Sequence, residues 1–150
     1  MTEAWDIRTI VVGVDGSEAS VEALRQAQIL AVPLSATLVA LASWDVPPVY
    51  DGYVAMGIDD FDVRAGQILQ ETVAKAFGQE TPANVEPRLV QGHPRYTLIE
   101  ASRDADMMVV GRRGHGGFGG LLIGSVSSAL VAHAHCPVLV VHTPEAKAAK

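Results

Sequence analysis

The sequence predicts an α/β sandwich built on a parallel sheet, on three observations. First, short and almost wholly apolar runs recur along the chain: Thr9 to Val14 (TIVVGV), Ala36 to Ser43 (ATLVALAS), Asp106 to Val110 (DMMVV) and Pro137 to His142 (PVLVVH). Runs of this kind read as strands covered on both faces. Second, segments with helical periodicity alternate with them, so strand follows helix throughout. Third, a glycine-rich stretch stands between one of these strands and the last helix, the place where such sheets take a ligand.

Composition narrows the possibilities. The 150 residues suit one domain spanning 1–150, with 1–6 and 144–150 as flexible tails, and 49% hydrophobic against 19% charged residues is a globular balance. The net charge of −6, with no basic stripe, argues against a nucleic-acid partner. Cys136 is the single cysteine, so no internal disulfide can form, which fits a reducing compartment. Met1 to Arg8 carries Glu3 and Asp6 and lacks the apolar core of a signal peptide. No run approaches the ~18 apolar residues of a membrane helix. The expectation is a cytoplasmic protein with no membrane partner.

Each element has a local reason. The first strand stops at Asp15-Gly16-Ser17, a turn cluster, and Ser17 is placed to cap a helix whose first turn holds Glu18. Val21, Leu24, Ala27, Gln28, Leu30 and Ala31 give that helix its inner face, with an end expected near Pro33. Ala36 to Ser43 completes a βαβ unit, whose crossover should be right-handed. Trp44 to Asp62 is irregular and too long for an ordinary connector, which suggests a lid or a mobile loop. A second helix is expected over Val63 to Phe77, stopped by Gly78, with Ile68, Leu69, Val73 and Phe77 on one face. Val85 to Val90 is a more polar strand, suited to a sheet edge. Gly92-His93-Pro94 punctuates, and Pro94 fits a first helical turn. The segment from Arg95 to Arg103 turns Leu98, Ile99 and Ala101 inward. Ser125 to Ala134 reads as a short helix before the last strand.

The stretch from Met107 to Val126 (MMVVGRRGHGGFGGLLIGSV) carries the chemistry. An apolar strand breaks at Gly111, six further glycines follow up to Gly124, and a helix begins at about Ser125. Glycines let backbone N–H groups turn toward a phosphate, and a helix N-terminus adds partial positive charge. The alternative is a surface loop without a ligand. Asp15 and Gly111 end two different strands, and both would lie at the carboxyl edge of the sheet where the winding direction reverses. A lysine-type phosphate loop is excluded, because no lysine stands between Lys75 and Lys147. Gly114, Gly116 and Gly119 satisfy GxGxxG, but ~20 residues on stands apolar Leu139 where a dinucleotide site needs an acid.

The spacing that fits is Gly111-x2-Gly114-x9-Gly124-Ser125. Here the chain resembles the universal stress protein family, in particular its ATP-binding branch. The opening TIVVGVDGSEAS, the Gly92-His93-Pro94 element and the ending SVSSALVAHAHCPVLVV add to the likeness, which spans nearly everything but Val46 to Asp62. The resemblance implies a flavodoxin-like or Rossmann-like three-layer sandwich with strand order 3-2-1-4-5. It implies that Asp15, with Val14 beside it, contacts the ribose or a phosphate-bound metal and that Ser43 lies at the adenine. It further implies that Gly111 lies on the ribose side and that Gly114, Gly124, Ser125 and Val126 hold the phosphates. The cofactor so implied is ATP, with Mg²⁺ possible, and the assembly is a homodimer paired through 137–142. That last strand would otherwise be an exposed apolar edge. Two positions depart from the family pattern: Arg112 stands where a small polar residue is usual, and Ala42 where histidine is common.

Other residues carry a chemical and a structural reading. His133, His135 and Cys136 are close in sequence, but a helix end running into Pro137 does not converge three ligands on a metal. His115, Arg112 and Arg113 are either phosphate neighbours or solvated charges. Trp44 and Tyr50 would stack on a purine or close the core. Asp59, Asp60 and Asp62 would bind a cation or form a solvated loop face. The leading function is an ATP-binding regulatory switch of the stress-response type, working through populations of conformations and an unidentified protein partner. Alternatives are a slow ATPase or autophosphorylating phosphotransferase, or binding of another adenine nucleotide such as cAMP. The spacing supplies no catalytic constellation, so no catalytic residue is assigned.

Overall fold

A computed structural model describes residues 6–46, 59–112 and 124–143. The expectations placed on 1–5, 47–58, 113–123 and 144–150, including the lid, Tyr50, Arg113, Gly114 and His115, lie outside the described residues.

Five strands, β1 (Thr9–Gly13), β2 (Thr37–Trp44), β3 (Val85–Gln91), β4 (Met107–Gly111) and β5 (Val138–Val141), form one sheet. Its order is β3-β2-β1-β4-β5 and every pairing is parallel, the order expected. The helices are α1 (Glu18–Leu34), α2 (Asp59–Phe77), α3 (Pro94–Ala101) and α4 (Ser125–His133). Right-handed crossovers put α1 and α2 on one face while the chain steps outward from β1 to β3, and α3 and α4 on the other once it returns to β4. The side chains record that reversal with a period of two. Ile10, Val12, Leu38, Ala40 and Val109 pack with Leu24, Ala27, Ala31, Leu69 and Val73 from α1 and α2. Val11, Val39, Leu41, Met108 and Val110 pack with Leu98 of α3 and Leu130 of α4.

One helix boundary matches the sequence expectation and one differs. Helix α1 ends at Leu34, next to the Pro33 near which its end is expected. A proline so close to the end removes a single helical bond. The turn then closes at Ser35, in the left-handed region at φ 55°, as Ser35 N–H donates to Val32 O (3.1 Å) and Ala36 N–H to Ala31 O (2.9 Å). Helix α2 begins at Asp59 instead of Val63, so the acidic cluster lies in its first turn and is no loop face. The partial positive charge of that end favours the carboxylates of Asp60 and Asp62 there. Polar β3 does take one edge of the sheet, and apolar β5 takes the other.

The edge where the strands begin is fastened by side chains. Asp106 Oδ2 accepts from the N–H groups of Arg8 (2.9 Å) and Thr9 (3.0 Å), joining the entries of β4 and β1. Asn84 Nδ2 donates to Ala36 O (3.1 Å) and to Gln28 Oε1 (2.9 Å), joining the entries of β3 and β2 to α1. Ser102 Oγ, fully buried, accepts from His135 N–H (2.9 Å) just before β5.

Candidate functional site

Among the described residues, the opposite edge, where the strands end, is assembled mainly from backbone. Past the end of β1, Val14 N–H still donates to Leu41 O (2.9 Å), and its side chain is buried in the core, so only its main chain faces the rim. Asp15 follows, exposed, and Gly16 makes the turn into α1 at φ 85°, a value that favours glycine. Asp15 Oδ1 accepts from Ser17 N–H (3.0 Å) and from Ser17 Oγ–H (2.5 Å). Ser17 Oγ in turn caps α1 by accepting from Ser20 N–H (3.2 Å), as its sequence position predicts. The carboxylate is thereby held at the point where β1 becomes α1.

Across the switch point, β4 ends at Gly111. A β-carbon built on Gly111 would stand 2.5 Å from Ala19 Cβ and 3.0 Å from the Ala19 carbonyl, so the first turn of α1 occupies the space a side chain would need. Arg112, half-buried, donates its N–H to Val141 O (2.9 Å) and accepts at its own carbonyl from Gly124 N–H (2.6 Å). The chain thus returns at Gly124 to the place it left at Arg112. Gly124 is the N-cap of α4 and offers no side-chain cap. The first helical bond runs from Ser128 N–H to Gly124 O (2.8 Å). The N–H groups of Ser125, Val126 and Ser127 therefore precede any acceptor within the helix, which is the arrangement that receives anions. Ser125 is exposed and Val126 half-buried, while Ser127 is buried and donates its hydroxyl to Gly111 O (2.6 Å).

On the other side of β1, Ser43 stands half-buried near the end of β2, opposite Val90 of β3. The β3–α3 turn closes over this end, with Gly92 N–H donating to Trp44 O (2.8 Å). His93 caps α3 by accepting from Arg95 N–H at Nδ1 (3.1 Å).

The structure therefore gathers Val14, Asp15, Gly111, Arg112, Gly124, Ser125 and Val126 around the adjoining ends of β1 and β4, with Ser43 one strand away. Sequence reasoning offers Ser127, with Ser125, only as a phosphoryl acceptor in the phosphotransferase alternative; it missed the Ser127–Gly111 bond and Ala19, whose parts are visible only once β4, α1 and α4 are in contact. Among the described residues, no three His, Cys, Asp or Glu side chains converge on a metal position. His133 and His135 are exposed, and half-buried Cys136 packs on the α3–α4 face of the sheet. Burial, with a smaller contribution from the Asp106 charge, raises the Cys136 thiol pKa above its ordinary value.

Comparison with known proteins places this arrangement. The model of the universal stress protein family matches residues 6–142. A universal stress protein of Mycobacterium tuberculosis is 36% identical over 141 residues, covering 89% of this chain and 47% of the relative. The chain thus spans about half the length of the mycobacterial relatives it matches. One of Methanocaldococcus jannaschii is 32% identical over 144 residues, covering 92% of this chain and 84% of the relative. A crystal structure of a universal stress protein in complex with cAMP superposes with a TM-score of 0.69 at 28% identity, covering 92% of this chain and 99% of that one. Sheet order, extent of the match and identity agree, and the chain belongs to the universal stress protein family.

Proposed function

We propose that this chain is an adenine-nucleotide-binding regulatory protein, with ATP as its ligand and Mg²⁺ accompanying the phosphates. The observation that carries the reading is that Asp15 and the uncapped N-terminus of α4 follow the carboxyl ends of two adjacent parallel strands. A negative group suited to a ribose hydroxyl or a cation then lies at the same rim as a group of backbone donors suited to phosphate. In this reading Val14, Asp15 and Ser43 serve the nucleoside, Gly111 and Arg112 border it, and Gly124, Ser125 and Val126 bind phosphate. Gly114 belongs to the same motif by spacing alone. Ligand binding at this rim biases the conformations offered to a protein partner, which is the output of a switch. A second reading, cAMP in place of ATP, is favoured by the complex of the 28% identical neighbour.

The protein is further proposed to be cytoplasmic and homodimeric. Among the described residues no helix is long and apolar enough to cross a membrane. The two sheet edges differ in a way that supports pairing through β5. Edge strand β3 carries Pro87 and the Arg88–Glu86 ion pair (2.7 Å), features that discourage a partner strand, while Val138–Val141 carries neither charge nor proline.

The decisive experiment denatures the purified protein, identifies released nucleotide by chromatography, and titrates the stripped protein with ATP and Mg²⁺ and separately with cAMP. Intact ATP and saturable binding are expected. Released ADP with phosphate appearing on incubation would replace the switch with a slow ATPase, and tighter binding of cAMP would replace ATP as the ligand. Gly124→Ala, which adds a methyl where backbone is to meet phosphate, is expected to weaken binding about tenfold with the fold retained.

A further inference from the structure

We infer that Ser127 is a positioning residue for the bound nucleotide, aiming the phosphate-binding N–H groups of α4 through its hydrogen bond to Gly111. The inference rests on the nucleotide-binding reading above and adds to it a residue outside the glycine spacing. Ser127 is 6% exposed, and its hydroxyl proton is committed within the fold. Its Oγ–H donates across the switch point to Gly111 O at 2.6 Å. The same Gly111 is pressed against Ala19, with no room for a β-carbon. The ends of α1, β4 and α4 thus meet at one residue, and among the described residues the Ser127 hydroxyl supplies the side-chain hydrogen bond that links β4 to α4 there.

Main chain provides the other tie, from Gly124 N–H to Arg112 O (2.6 Å). That bond fixes where α4 starts, and buried Leu130 seats the body of the helix on the sheet. The Ser127 bond adds a directional constraint on the first turn itself, where the phosphate-binding N–H groups are. Direction matters because an N–H···O bond weakens steeply below about 120°, so a modest rotation of the first turn turns the Ser125 and Val126 donors away from a phosphate. A helix N-terminus attracts anions in any orientation, but only a fixed one binds a particular phosphate tightly.

The test separates positioning from general stability. Wild type, Ser127→Ala, Ser127→Thr and Ser102→Ala are titrated with ATP and Mg²⁺, and with cAMP, well below their melting temperatures, which are measured in parallel. Ser102→Ala is the matched control: its buried hydroxyl also bonds a main-chain carbonyl, Ile99 O at 2.5 Å, but at the edge where strands begin. Both alanine variants are expected to melt earlier, and only Ser127→Ala to lose affinity, by about tenfold for one hydrogen bond's worth of orientation. Ser127→Thr, which keeps the hydroxyl, is expected to recover most of that loss. If Ser127→Ala does not fold, Ser127→Cys, with a weaker donor of similar size, replaces it. Unchanged affinity in the hydroxyl-less variant, or equal losses in Ser127→Ala and Ser102→Ala, would overturn the inference while leaving nucleotide binding intact. A wild type that binds neither nucleotide would overturn the binding reading and this inference with it.

Discussion

Gly111 illustrates how one residue can satisfy two demands. Its place in the glycine spacing was legible, and the spacing pointed to a ligand. The contact with Ala19 was not legible, because those residues lie on different elements and nothing local in either sequence marks the approach. Packing alone accounts for a glycine here, whatever binds beside it. Gly111→Ala is therefore expected to destabilise the apo protein by about 1–3 kcal/mol, the usual cost of overpacking, measured by urea denaturation. Gly124 differs in kind: its φ of −72° suits any residue, so its substitution is expected to register in binding before stability. The position of Asp15 just past a strand end is legible in the sequence. The two bonds that orient it come from Ser17, which sequence reading had assigned only to capping.

At the scale of the element, the boundaries that were read correctly have strong local signals. Ser17 before an apolar-periodic segment and Pro94 in a first turn both stand where the helices start. The start of α2 has a weaker signal, because a run of aspartates reads as loop although a helix N-terminus favours carboxylates such as those of Asp60 and Asp62. Pro33 does mark the end of α1, whose last turn tolerates it. Ser17→Ala removes the acceptor for Ser20 N–H and a donor to Asp15 at once. It is expected to cost about 1 kcal/mol, seen as a melting temperature lower by several degrees.

For the whole molecule, the strand order was legible through the family resemblance and agrees with the alternation of side chains between two faces. The polarity of β3 against the apolarity of β5 was legible as well, since composition alone separates a guarded edge from an open one. If β5 pairs two copies, Leu139→Lys, which puts a charge on that edge at a half-exposed position, is expected to shift the protein toward monomer in sedimentation. A change confined to this edge should leave the isolated fold intact.

The fastening of the strand entries gives the molecule a direction. Asp106, Asn84 and Ser102 stitch the starts of the five strands to one another or to a neighbouring helix, whereas among the described residues the far rim is joined chiefly by main chain. The strands stay paired to their far ends, as Gly13 opposite Leu41 and Gly111 opposite Val141 show, so the side-chain stitching is added to a sheet already continuous from pole to pole. Among the described residues, side chains thus reinforce one pole, and the pole that carries the candidate site is left chiefly to main chain.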